Sequence, residues 1–273
     1  MSNLTTEPAM KVRVGKPGRI EFHDQGEVAP AQRVPIVESL RDSRSILGEE
    51  FRYLRSKVQA LSQRRPMSCL ALVSALPGEG KSTVTLGLAT AMAREPGKRI
   101  LVIEADLRRP AIGQALGLEP YPGLGDWLNG AFERVPVRRI ERGGFSLLSA
   151  GQAPLERPED LGSPRMDALL RAARERFDVV ILDATPILPV ADVILLQDLV
   201  DGLVFVVRSR VTPRDAIQDA LGRIRSDKIV GMVLNDHREY RGSYMSSAYL
   251  SYRMSDGLPR ATGAAANGDA PTD

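Results

Sequence analysis

Residues Ser74-Ala75-Leu76-Pro77-Gly78-Glu79-Gly80-Lys81-Ser82-Thr83 follow an apolar run and open a helix-like one. Strand, glycine-rich turn and helix, closed by Gly-Lys-Ser, make a phosphate loop of the Walker A type. Ala75 stands where its first glycine usually does. Glycines let backbone N–H groups surround phosphate oxygens, and the helix N-terminus adds positive partial charge. Pro77, Gly78, Glu79, Gly80, Lys81, Ser82 and Thr83 are therefore the candidate cradle for a nucleotide such as ATP. Lys81 is placed to reach the β- and γ-phosphates, and Ser82 to ligate Mg2+ through its hydroxyl. An ordinary strand–helix turn needs neither group at this spacing.

The rest of the chain continues the same alternation. Apolar runs suited to strands lie at 68–75, 99–105, 145–149, 178–183, 202–208 and 229–235. Helix-like stretches lie at 82–94, 163–176, 191–199 and 213–225. Strands apolar on both faces that alternate with helices predict an α/β fold, a mostly parallel buried sheet with helices on both faces. In such sheets ligands sit beyond the carboxyl ends of the strands. The chain divides into a mobile arm at 1–35, one core at 36–237 and a flexible tail at 238–273.

Two strand ends carry acids. Residues 101–108 read Leu-Val-Ile-Glu-Ala-Asp-Leu-Arg, so Glu104 and Asp106 leave their strand on one side. Residues 179–186 end in Asp183-Ala184-Thr185-Pro186, as in a Walker B strand. Asp183 is the candidate to hold Mg2+, directly or through water. Asp106 is the candidate to accept a proton from an attacking hydroxyl or to bind the metal.

Composition removes other classes. The single cysteine, Cys69, excludes an intrachain disulfide and a cysteine-based zinc site. Two histidines, His23 and His237, argue against a histidine-rich metal centre. A net charge of +3 is too small to imply nucleic acid. The start, MSNLTTEPAM, shows no apolar leader segment. The longest apolar stretch, 186–207, is interrupted by Asp192, Asp198 and Asp201, so it is not a membrane span. A cytoplasmic setting is expected, with any membrane association supplied by a partner.

The stretch 47–63 reads as an amphipathic helix with Leu47, Phe51, Leu54, Val58 and Leu61 on one stripe. At roughly 100° per residue, Glu49, Arg52 and Arg55 share an arc of about 120° away from it. Such an arc is either a solvated face or a polar contact. Near the other end, four of the six tyrosines, Tyr240, Tyr244, Tyr249 and Tyr252, fall within 13 residues among serines and arginines. They read as an accessible tail or as a short helix packed on the core.

These motifs together resemble the bacterial tyrosine kinases of capsule and exopolysaccharide synthesis, the BY-kinases. The likeness covers roughly 38–253 and is closest to the form in which the kinase domain is a separate chain. It rests on Glu49-x-x-Arg52-x-x-Arg55, the phosphate loop, the acidic strand ending in Leu107-Arg108-Arg109-Pro110, Gly123-Leu124-Gly125-Asp126, Asp183-x-x-Pro186 and the tyrosine-rich tail. The resemblance implies a P-loop fold with ATP and Mg2+ as cofactors, and catalytic roles for Lys81, Asp106, Glu104 and Asp183. It implies metal binding by Ser82, Asp106 and Asp183. It implies a homo-oligomeric ring joined through Glu49, Arg52 and Arg55, in which the tail tyrosines of one subunit enter the next subunit's site. A transmembrane copolymerase or chain-length protein is the implied activator, at the inner face of the plasma membrane, and a tyrosine phosphatase the implied opponent. Asn235, just after the last strand, resembles a base-contacting position of related P-loop proteins. Where the family usually has Asp-x-Asp, this chain has Glu104, which extends the charge by one methylene.

Two other readings stay open. Partitioning ATPases of the Par and Min type resemble this chain but carry a second lysine five residues before the loop lysine, where Leu76 stands. A nucleotide-dependent scaffold with weakened catalysis is the other, and Glu104 is the residue that suggests it.

Overall fold

The computed structural model describes residues 20–29, 37–38, 45–118, 122–152 and 158–236. Among them an eight-stranded sheet forms in the order β1-β4-β5-β3-β6-β2-β7-β8. The strands are β1 Phe22–Val28, β2 Cys69–Ser74, β3 Ile100–Glu104, β4 Val135–Ile140, β5 Phe145–Leu148, β6 Val179–Pro186, β7 Gly202–Arg208 and β8 Ile229–Asn235. All neighbours are parallel except β4 and β5, which form an antiparallel pair closed by a short turn. Ile140 faces Phe145 across that pair, and Gly144 turns the chain at φ +72°.

Helices cover both faces. On one face α1 (Ile46–Ser62) lies on α2 (Lys81–Ala93), with α3 (Ile112–Ala115) beside them. On the other are α4 (Leu124–Leu128), α5 (Pro164–Arg176), α6 (Asp192–Leu196) and α7 (Arg214–Arg223). The central strands sort their side chains by alternation. Cys69, Ala71, Val73 and Ala75 face the α5–α7 side, whereas Leu70 and Leu72 face α2. Burial on both faces explains why β2, β3, β6 and β7 read as continuous apolar runs.

Two of the helices are capped by serines. Ser45 caps α1 by accepting the Gly48 N–H at 3.2 Å, and Ser163 caps α5 by accepting the Met166 N–H at 3.3 Å. Gly87 is the close-packing point of α1 on α2. A Cβ there would come within 2.3 Å of the Phe51 ring.

Residues 22–28, expected within a mobile arm, form edge strand β1 instead. Its sequence, FHDQGEV, has no apolar period, because an edge strand of this exposure needs little burial. The backbone ladder to β4 holds it, helped by the Phe22 ring edge-on to Phe177 at 5.6 Å. Arg134 and Arg139 of the β4 region pair with Glu21 and Glu27. The expected helix at 191–199 is shorter, confined to α6.

Candidate active site

The carboxyl ends of β2, β3, β6, β7 and β8 lie together, and the loops leaving them build one site. The phosphate loop is shaped by its own side chains. Ser74 Oγ donates to the Leu76 carbonyl at 2.8 Å, and the Leu76 N–H donates to Glu79 Oε2 at 3.1 Å. Gly78 and Gly80 take φ of +78° and +90°, conformations that L side chains rarely adopt. A Cβ on Gly78 would meet nothing within 4 Å, so the space beside the loop at this residue is open. Gly80 is crowded instead, since a Cβ there would lie 2.0 Å from Asn235 Nδ2.

Glu79 is a knot. Its Oε1 accepts from the Thr212 hydroxyl, and Thr212 Oγ1 accepts from the Arg208 N–H at 3.0 Å. Its carbonyl accepts from Asn235 Nδ2 at 2.9 Å. Three strand ends, those of β2, β7 and β8, are thus tied through one loop residue. Asn235 lies against the loop, where it holds the Glu79 peptide.

The acids converge from two strands. Ser82 Oγ donates to Asp183 Oδ2 at 2.6 Å, and Thr85 Oγ1 donates to Asp183 Oδ1 at 3.4 Å. Burial pushes the Asp183 carboxyl up to about 7, with Glu104 and Asp106 adding to the rise and the Ser82 bond and Lys81 opposing it. Burial also raises Asp106, against the Arg109 N–H, which donates to its Oδ1 at 3.0 Å, and against the charge of Lys81. Lys81, only 7% exposed, is the cation among these acids.

Glu104 does something else. Its Oε1 accepts the Ile112 N–H at 2.6 Å and its Oε2 accepts the Ala150 N–H at 3.1 Å. Burial raises its pKa, and backbone N–H groups led by those of Ala150 and Ile112 pull it down. Both oxygens are engaged by backbone, so Glu104 fastens α3 and the end of β5 to β3. Asp126 behaves alike: Oδ2 accepts from Gly123 and Gln152 N–H groups, each at 2.9 Å.

The donor set fits a nucleotide with Mg2+. A hydroxyl and a carboxylate, Ser82 and Asp183, are hard oxygen ligands in contact, beside a lysine and an open glycine loop. Among the described residues no group of three or more His, Cys, Asp or Glu could hold a metal. Such sites take Mg2+ with the phosphates rather than in an all-protein cage.

The raised acids set a pH dependence. Asp183 keeps a proton in the folded chain up to about 7, against an ordinary value of 3.8. Its contribution to stability is full below about pH 4 and is lost as pH rises through about 7. The nucleotide-free protein is expected to melt at a lower temperature at pH 8 than at pH 6. Mg-ATP is expected to raise that temperature more at pH 8, because bound cations compete with the proton. Thermal denaturation at both pH values, with and without Mg-ATP, checks this; equal stabilisation at the two would contradict it.

Known proteins resemble the chain in sequence and fold. The nucleotide-binding domain of the CobQ/CobB/MinD/ParA family matches residues 70–247. Tyrosine-protein kinase YwqD of Bacillus subtilis (strain 168) is 34% identical over 214 residues, covering 75% of this chain and 89% of its own. The chain belongs to the bacterial tyrosine-kinase family. Succinoglycan biosynthesis transport protein ExoP of Rhizobium meliloti (strain 1021) is 32% identical over 228 residues, 80% of this chain. This chain spans only 28% of ExoP, so the likeness there is to one part of a longer protein. The kinase domain of Escherichia coli tyrosine kinase ETK superposes with a TM-score of 0.68 at 28% identity, covering 74% of this chain and 79% of that one.

On this tyrosine-kinase frame the helix motif divides. Arg52 pairs with Glu49 one turn away, with Nη2 to Oε1 at 2.6 Å and Nε to Oε2 at 2.9 Å. Arg55 turns inward, and its Nη1 donates to the Ala91 carbonyl of α2 at 3.1 Å. A shared outward arc therefore describes Glu49 and Arg52 but not Arg55, whose long stem bends back over α2. Tyr240, Tyr244, Tyr249 and Tyr252 lie outside the described residues.

Three side chains beside the site have partners that no local motif reveals. Thr212 lies in the loop after β7 and Asp192 is the first residue of α6, each with a partner far away in sequence, and Arg108 looks like one basic residue among two. Arg108 forks onto Asp192 across the site, with Nε to Oδ2 at 3.1 Å and Nη2 to Oδ1 at 3.4 Å. The only available signal was an acid shortly after the Asp183 strand.

Proposed function

We propose that this chain is an ATP-dependent protein tyrosine autokinase that regulates the polymerisation and export of an extracellular polysaccharide. The observation that carries the reading is the contact of Ser82 with Asp183 beside Lys81 and Asp106. The names of YwqD, a tyrosine kinase, and ExoP, a polysaccharide transport protein, support the two halves of it.

In this reading the loop N–H groups and Lys81 bind and orient the phosphates of ATP. Bound Mg2+, held by Ser82 and Asp183, would neutralise charge on the transferred phosphoryl group. Asp106 holds its free oxygen toward the entering tyrosine hydroxyl and receives its proton. A phenol with pKa near 10 needs that help at neutral pH. Glu104 keeps the β3 loop in place for Asp106 and takes no proton from substrate. The acceptors are Tyr240, Tyr244, Tyr249 and Tyr252 of a neighbouring subunit. Each phosphate adds about −1.5 to −2 charges, so a fully modified tail repels its docking site. A transmembrane copolymerase recruits the chain to the inner face of the plasma membrane, and a tyrosine phosphatase resets it. Among the described residues no helix is long and apolar enough to cross a membrane.

The test is mass spectrometry of the purified chain after incubation with Mg-ATP, with and without prior phosphatase treatment. Phosphate on the tail tyrosines is expected; phosphate release with unmodified tyrosines would support a partitioning-type ATPase. Replacing Arg52 and Arg55 by Ala is expected to give a monomer that binds ATP but labels its tail at most about a tenth as fast, as loss of positioning does. Arg52→Ala alone leaves the Arg55–Ala91 bond intact and separates assembly from stability. Light scattering that finds both variants oligomeric, with wild-type labelling, rules out the ring contact. The four tyrosines changed to Phe should leave oligomers that persist in ATP.

A further inference from the structure

The β3 loop holds two groups that attract one another, Asp106 and Arg108, two residues apart. They are kept apart by a third residue from a different strand end. Asp192 opens α6, and its side chain is only 6% exposed, whereas that of Arg108 is 49% exposed. The guanidinium lays Nε and Nη2 on the two oxygens of Asp192, a bidentate fork. Asp106 accepts the Arg109 N–H on Oδ1 at 3.0 Å, the Arg108 N–H also pulls its pKa down, and among the described residues no side-chain N–H is bonded to it. Lys81 from α2 and Asp192 from α6 act on its charge, and Asp183 on β6 feels it in turn. Arg108 already feels the charge of Asp106, after that of Asp192. Two largely buried carboxylates thus compete for one half-exposed cation, and the fork on Asp192 decides the contest.

We propose that Asp192 is a positioning residue that sequesters Arg108, so that the second oxygen of Asp106 stays open to the reaction. Without the charge on Asp192, the nearest carboxylate for a guanidinium on this loop is Asp106. A bidentate or single bond there covers the oxygen that meets the tyrosine hydroxyl or the metal. Asp192 touches neither nucleotide nor acceptor in this scheme; it acts through Arg108. The proposal rests on the kinase reading for its consequence, but the placement of the guanidinium stands apart from it.

Asp192→Asn keeps the shape and removes the charge. A crystal structure of this variant without nucleotide is expected to show the Arg108 guanidinium on the Asp106 carboxylate. The guanidinium still on residue 192, or in solvent, overturns the proposal whatever the activity. Tail labelling by Asp192→Asn is expected to fall about tenfold or more, as when a general base is blocked. Arg108→Gln, alone or combined with Asp192→Asn, is expected to label within about threefold of wild type, since no cation remains to collapse onto Asp106. A double variant as impaired as Asp192→Asn overturns sequestration. If Asp192→Asn folds poorly, Arg108→Gln alone still decides: a tenfold loss at an unchanged melting temperature makes Arg108 a working cation and ends the proposal. A wild-type protein that labels no tyrosine would sink the kinase reading instead, and leave the crystallographic result to judge Asp192.

Discussion

Lys81→Met is expected to remove tyrosine phosphorylation while the fold survives. Among the described residues the lysine is the basic side chain that acts on both Asp106 and Asp183. It opens α2, where the helix N-terminus and the loop N–H groups already favour anions. Its charge is needed most as negative charge gathers on the transferred phosphoryl group, so its loss falls on the transition state. Removing one such stabilising group costs about 10²–10³ in rate, or roughly 3–4 kcal/mol. The fold should tolerate the change for a reason found in the acids. Burial already favours their neutral forms, and without Lys81 both simply keep their protons to higher pH. Methionine keeps the apolar stem in place. Radioactive labelling from ATP, paired with circular dichroism, reads both halves. A well-folded variant that labels at even a tenth of the wild-type rate would contradict the assignment of Lys81.

What the amino-acid sequence made legible follows from burial and spacing. Strands β2, β3, β6 and β7 are apolar on both faces, so their runs announce themselves, and the loop between β2 and α2 is a local motif. Strands β1 and β4 do not. One is an exposed edge, and the other carries Pro136, Arg138 and Arg139. Site residues divide the same way. Ser82 and Asp183 are 101 residues apart, but each belongs to a motif whose fold context brings them together. Arg108 and Asp192 are 84 residues apart and neither residue type implies the other. Arg55 shows a different limit. A helical wheel places Cβ atoms, whereas a long side chain chooses its own end point, here the Ala91 carbonyl.

Glu104 shows that residue type and motif position together do not fix a role. Two acids leave the same strand two residues apart, and the family pattern suggests paired roles in chemistry. The structure separates them by what each oxygen meets. Glu104 accepts two buried backbone N–H groups, from Ile112 and Ala150, and its extra methylene is the length that spans both. Asp106 accepts one, from Arg109. Conservative substitutions at the two positions should therefore have opposite effects. Glu104→Gln replaces one acceptor with an N–H2 group that faces a donor. That should destabilise the fold by about 2–3 kcal/mol, near the upper end for an unsatisfied buried group. For a domain of this size the melting temperature would drop by about 4–12 °C. Glu104→Asp should also lose one of the two bonds, because the shorter chain cannot reach both, so restoring the family's usual residue is not expected to help here. Asp106→Asn keeps the Arg109 contact through its amide oxygen and removes a charge that burial disfavours, so its melting temperature should stay the same or rise. Its kcat should fall by about 10²–10⁴, the range for loss of a general base. Calorimetry and tail labelling on the same samples separate stability from chemistry. If Glu104→Gln melts like wild type and fails only in labelling, Glu104 takes part in the reaction after all and the tether assigned to it is wrong.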